Sequence, residues 1–188
     1  GINSPSPHPH NGILLLDNHY PPSYTFHKTK LAMGLFGLFG KRADPNSITS
    51  KIKTAVNPKK KDNNAGTVDD IVALVNSNPN GPEEAGKAIF KQLKAVKPEK
   101  QILALELLAE LGDKSEKFRP QLANETLVNF FYANATESWT DRDFKTKIIE
   151  AAQHWQTEFQ EDESLAPVAG LYQKISSTTS AKRRSQAL

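Results

Sequence analysis

The stretch "PEEAGKAIFKQLKAVKPEKQILALELLAELG", residues 82–112, decides the fold. In its first half Ala85, Ala88, Ile89 and Leu93 recur at helical spacing, while Lys87, Lys91 and Lys94 fall between them. This is the pattern of a helix with one wet side. In the second half Ile102, Leu103, Leu105, Leu107, Leu108 and Leu111 leave almost no polar side, so that helix must be surrounded by others. Pro82 and Pro98 suit first helical positions, and Gly112 is expected to end the second helix.

The same logic extends both ways. Toward the N-terminus, Val68, Ile71, Val72 and Val75 form one apolar stripe behind Thr67 and Asp70, which read as a capping box. Before them Ile48, Ile52, Ala55 and Val56 predict a short amphipathic helix capped by Asn46 or Ser47. The segment "NPKKKDNNAG", residues 57–66, is an exposed linker. Toward the C-terminus, Phe118 and Leu122 mark a short helix, and Leu127, Val128, Phe130 and Phe131 a longer one behind Asn124. Thr140 and Asp143 are expected to cap the strongest stripe, formed by Phe144, Ile148, Ala152, Trp155 and Phe159. Leu165, Val168, Leu171, Tyr172 and Ile175 suggest a last helix. No strand period appears. The class is all-α, with seven or eight short antiparallel helices stacked as a superhelix whose hand the pattern alone does not set.

The chain has 188 residues, enough for one domain of ordinary size. Residues 1–45 read as a disordered leader rich in Pro, His and Ser that carries the apolar segment "MGLFGLFGKR" from Met33. Residues 46–176 are the helical domain and 177–188 a disordered basic tail. Met33, the only methionine, reads as a natural start, which would make the residues before it a leader. The longest apolar run, 31–39, is far short of the roughly 20 residues that a membrane helix needs. A soluble, at most membrane-associated chain follows. There is no cysteine, which excludes disulfides, thiolate zinc sites and a cysteine nucleophile. Charge is split: residues 67–176 hold 12 Lys/Arg against 18 Asp/Glu, and the flanks 12 against 3. Basic flanks of that kind attract phosphate-rich surfaces.

Catalytic chemistry is not indicated, and no metal or cofactor is expected. His8, His10, His19 and His27 lie in the leader without ordered neighbours to make them ligands. His154 reads as a solvated histidine one turn from Glu150 and Glu158, off the buried stripe. Glu83 with Glu84, and Asp69 with Asp70, sit in first helical turns, where the helix dipole accounts for them. Leu35, Phe36, Leu38 and Phe39 beside Lys41 and Arg42, together with Lys59, Lys60 and Lys61, are candidates for shallow binding to an anionic bilayer. The myristoylation pattern at Gly34 fails, because Phe39 stands where Ser or Thr is required.

Residues 81–111 resemble the second and third blocks of the VHS domain: an acidic helix start, an Ala-Ile pair, a Lys-rich wet face, then a buried Leu-rich helix. "KTKIIEAAQHWQTEFQEDESLAPVAGLYQKI", residues 145–175, is similar to the closing block of that family through Lys147, Ile148, Trp155, Phe159, Leu165 and Tyr172. Among its members the chain looks most like the VHS–GAT adaptors of fungal actin patches. The resemblance implies a right-handed superhelix of about eight helices, no catalysis and no cofactor. It implies partners such as ubiquitin or ubiquitinated cargo, sorting peptides and actin-regulatory proteins, with no nucleic acid. It also implies a cytoplasmic module peripherally associated with endosomal or Golgi membranes or with the cell cortex. Ile71, Val75, Leu107 and Leu111 are candidates for the apolar patch a ubiquitin site needs, although Ala65 and Gly66 stand where ubiquitin-binding members carry Trp. In relatives that read acidic dileucine signals the groove lies between the sixth and eighth helices. Here that means residues 124–132 and 165–175, with Asn129, Tyr132, Val168 and Tyr172 as candidates and no basic residue in the first segment. Two alternatives stay open: a peripheral lipid-binding protein acting through its basic flanks, and a nuclear reader of the RNA polymerase II C-terminal repeat.

Overall fold

The computed structural model describes residues 43–63 and 67–187. The leader and the apolar segment around Phe36 lie outside them. Among the described residues eight α-helices follow one another, with short 3-10 segments between some of them: α1 (Ile48–Ala55), α2 (Thr67–Ser77), α3 (Gly81–Leu93), α4 (Pro98–Lys114), α5 (Glu125–Thr136), α6 (Arg142–Phe159), α7 (Ala166–Ala169) and α8 (Leu171–Gln186). No strand occurs among the described residues. The all-α reading holds.

Each long helix forms where its apolar stripe and its cap agree. Ser47 accepts a hydrogen bond from the Ser50 N–H and starts α1, whose Ile48 and Ile52 are buried. Asn124 does the same for α5 by accepting from the Leu127 N–H. Pro82 and Pro98 occupy the first turns of α3 and α4 as expected. At α6 the cap is Asp141, which accepts from the N–H groups of Asp143 and Phe144. Thr140 and Asp143, both good capping types, flank the residue that does the capping.

Helix α4 is the centre of the packing. Ala104, Leu105, Leu107, Leu108 and Leu111 are buried among α2, α3 and α6. Gly112 does not end this helix. It is buried inside α4, where an added Cβ would come within 2.6 Å of Leu122 Cδ1, so its lack of a side chain admits the 3-10 turn Arg119–Ala123 against the helix. The α6 stripe is as read, with Phe144, Ile148, Ala152 and Trp155 fully buried and Phe159 nearly so. A chain of ring contacts joins α3, α5 and α6 through Phe90, Phe130, Phe131 and Trp155, with centroid separations of 5.5, 5.7 and 5.7 Å.

The last expected helix is divided into the 3-10 segment Glu163–Leu165, the single turn α7, and α8. Helix α8 continues to Gln186, so residues 177–186 are helical where an unstructured tail was expected. Two contacts with α5 explain the extension. The Tyr132 and Thr178 hydroxyls lie 2.7 Å apart, and Lys182 Nζ donates to the Thr136 carbonyl at 2.8 Å. Both pairs have the same sequence offset, so α8 runs parallel to α5 and passes its C-terminal end. Arg183 and Arg184 in the last turn also suit the negative end of the helix dipole.

Candidate functional site

The parallel seam between α5 and α8 holds two of the four groove candidates, Tyr132 and, one turn earlier on α5, Asn129. Asn129 is exposed one turn before Tyr132, which is half-buried and hydrogen-bonded to Thr178. Lys174, on α8, holds its ammonium 4.5 Å from the centre of the Tyr132 ring. That distance is within cation–π range, and it sets an exposed positive charge beside an aromatic surface. Two candidates stand elsewhere. Val168 is 1% exposed and belongs to the core. Tyr172 turns toward Gln153 of α6; a hydrogen bond with Gln153, and then one with Ser176 on α8 itself, hold its phenol below the usual tyrosine range, against a smaller opposing effect of burial. Lys174 is the residue that sequence reasoning missed. A basic partner was sought in residues 124–132, yet Lys174 is the one basic residue of the other segment, 165–175.

The four ubiquitin candidates are corrected outright as surface residues. Ile71, Val75 and Leu111 are 0% exposed and Leu107 is 4% exposed, so they pack α2 and α4 into the core and offer no patch. The reason is general: residues at the centre of an apolar stripe face inward, and a docking surface must be built from the stripe's margins. On α2 those margins are Val68, Val72 and Leu74, all half-buried. Of the membrane candidates, Lys59 and Lys60 are exposed in the 3-10 segment Pro58–Asn63, while Leu35, Phe36, Leu38, Phe39, Lys41 and Arg42 lie outside the described residues. Lys61 belongs to the same 3-10 segment.

Around His154 a shallow cleft of about 320 Å³ is lined by Asp113, Arg119, Glu158, Phe159, Asp162 and Leu165. His154 Nε2 lies 2.9 and 3.1 Å from the two Asp113 carboxylate oxygens, which links α6 to the end of α4. Arg119 donates to the carbonyls of Gly112 and Asp113. The His154 and Arg119 contacts tie neighbouring elements to the end of α4, and no group of three or more potential metal ligands occurs among the described residues. No described helix is long and apolar enough to cross a membrane.

The VHS domain family model matches residues 42–179, which is most of the chain and the whole of the helical stack through the first half of α8. The chain belongs to the VHS domain family. The right-handed superhelix expected from the resemblance is thus its fold. VHS domains are non-catalytic protein-interaction modules, and membership of the family implies a membrane-trafficking adaptor-type module. No match was found among curated proteins.

Proposed function

We propose that this VHS domain is a trafficking adaptor module that captures a short acidic sorting peptide in the seam between α5 and α8. The observation that supports it is the Lys174 ammonium 4.5 Å from the Tyr132 ring. An exposed cation beside an aromatic face suits a ligand with a carboxylate next to bulky aliphatic side chains, which is the chemistry of an acidic dileucine signal. Asn129, one turn earlier on α5, adds an exposed amide able to bond an extended peptide backbone. A peptide is favoured over ubiquitin because the four apolar residues expected to meet ubiquitin are buried. Ubiquitinated cargo and actin-regulatory proteins remain partners implied by family resemblance, as do the endosomal, Golgi or cortical locations.

Calorimetric titration with a peptide carrying Asp-x-x-Leu-Leu tests the reading. The parent should bind, Lys174→Glu should abolish binding, and replacing the peptide's Asp by Ala should weaken the parent by about the same amount. Equal affinity of parent and Lys174→Glu for the peptide would remove this seam as the site.

A further inference from the structure

Residues 180–187 are all exposed, so the end of α8 buries no side chain. Polar contacts hold it on α5. The Lys182 ammonium donates to the Thr136 carbonyl at 2.8 Å, and one turn earlier the Thr178 hydroxyl pairs with that of Tyr132. Thr136 is the last residue of α5, and its carbonyl is one of those that a helix end leaves without an internal partner. In the final turn of α8 the Ser185 hydroxyl donates to the Lys182 carbonyl at 2.8 Å. The sequence there runs Lys182-Arg183-Arg184-Ser185. Of all the serines and threonines in the chain, only Ser185 has basic residues at both the second and the third position before it.

We propose that Ser185 is a phosphorylation site for a serine kinase that selects basic substrates, and that its phosphate releases the end of α8 from α5. Two cations upstream of the acceptor complement the acidic substrate groove of such a kinase, and the charge pattern sets the choice of site. An end turn with no buried side chain opens at little cost, so it can enter that groove in extended form. ATP supplies the phosphoryl group. The bond from Ser185 Oγ to phosphorus forms as the bond from the γ-phosphorus to the β,γ-bridging oxygen breaks, ADP leaves, and the kinase's aspartate accepts the hydroxyl proton. The product has lost the donor that Ser185 offers to the Lys182 carbonyl. It has gained about 1.5–2 negative charges at the end of the helix where the dipole is already negative. Lys182, three residues earlier, lies on the same helix face, and a phosphate is a stronger acceptor for its ammonium than a neutral carbonyl. The tie from Lys182 to Thr136 is exchanged for a local one, and the residues beyond Thr178 come off α5. This release depends on the α5–α8 contacts alone and holds whatever ligand the seam takes.

The full chain, incubated with ATP and the catalytic subunit of cAMP-dependent protein kinase as the probe, tests both parts. Mass spectrometry should place one phosphate on Ser185, and Ser185→Ala should take up none. Arg183→Ala should lower kcat/KM for the transfer about tenfold or more, the worth of one charge-assisted pair. Amide hydrogen exchange of the phosphorylated chain should then show residues 179–186 losing protection while α2 to α4 keep theirs. Unphosphorylated Ser185→Ala should exchange like the parent, and unphosphorylated Lys182→Ala like the phosphorylated chain, which assigns the release to the Thr136 tie. Absence of phosphate from Ser185, or its placement on other residues of α8, would overturn the site. A chain phosphorylated on Ser185 with unchanged exchange in residues 179–186 would overturn the release.

Discussion

The Tyr132 hydroxyl lies 2.7 Å from the Thr178 hydroxyl, and this contact anchors the second half of α8 along α5. Tyr132→Phe removes it while leaving the ring beneath Lys174. The loss should cost about 0.5–1.5 kcal/mol, the net worth of one hydrogen bond. Amide hydrogen exchange should report it locally, with residues 177–186 losing protection and α4 keeping its own.

Trp155 should behave as a core residue. It is fully buried, with its ring centre 5.7 Å from that of Phe131. Trp155→Ala should cost about 3–5 kcal/mol, a large part of a typical domain's stability of about 5–15 kcal/mol. Lys91→Ala, on the wet side of α3, should leave the melting temperature nearly unchanged. Thermal melts of both variants check the register of α6 and α3 together.

Gly81 should tolerate no side chain. A Cβ there would stand 2.6 Å from the Val75 carbonyl oxygen and 2.9 Å from the Val75 Cα, both backbone atoms that cannot swing away. Gly81→Ala should therefore destabilise by about 1–3 kcal/mol through displacement of the α2–α3 turn. Urea unfolding should show a lower midpoint at an unchanged slope.

Glu83 should titrate below the ordinary glutamate range. Lys87 holds it there, first by a 2.6 Å hydrogen bond and then by charge. A depressed folded-state pKa adds stability that is present above the unfolded value and is lost as pH falls through the folded value. The pair is exposed, so the effect should be small. The Glu83 carboxyl resonance, followed against pH, should move back toward 4.5 in Lys87→Ala.

The core was legible because periodicity reports it directly. The α3 and α6 stripes are buried residue for residue, and the all-round apolar character of α4 does mark the central helix. Punctuation was harder to read. Thr140, Asp141 and Asp143 are all capping types, and only the backbone path selects Asp141. Gly112 carries the signature of a helix end, but its role is to make room for Leu122. The extension of α8 has no apolar stripe to announce it, since polar contacts with α5 hold it in place. Site residues were the least legible, for the reason that periodicity finds what faces inward. It delivered Ile71, Val75, Leu107, Leu111 and Val168, which are core. Lys174 gains meaning only from the seam that the superhelix brings together.

The most direct test of the account is where an acidic dileucine peptide touches the domain. Titrating the isotope-labelled protein should shift the amide resonances of Asn129, Tyr132, Lys174 and Thr178, with residues of α2 left in place. Shifts confined to α2 and α4, or none at millimolar peptide, would contradict the assignment of the α5–α8 seam as the binding site.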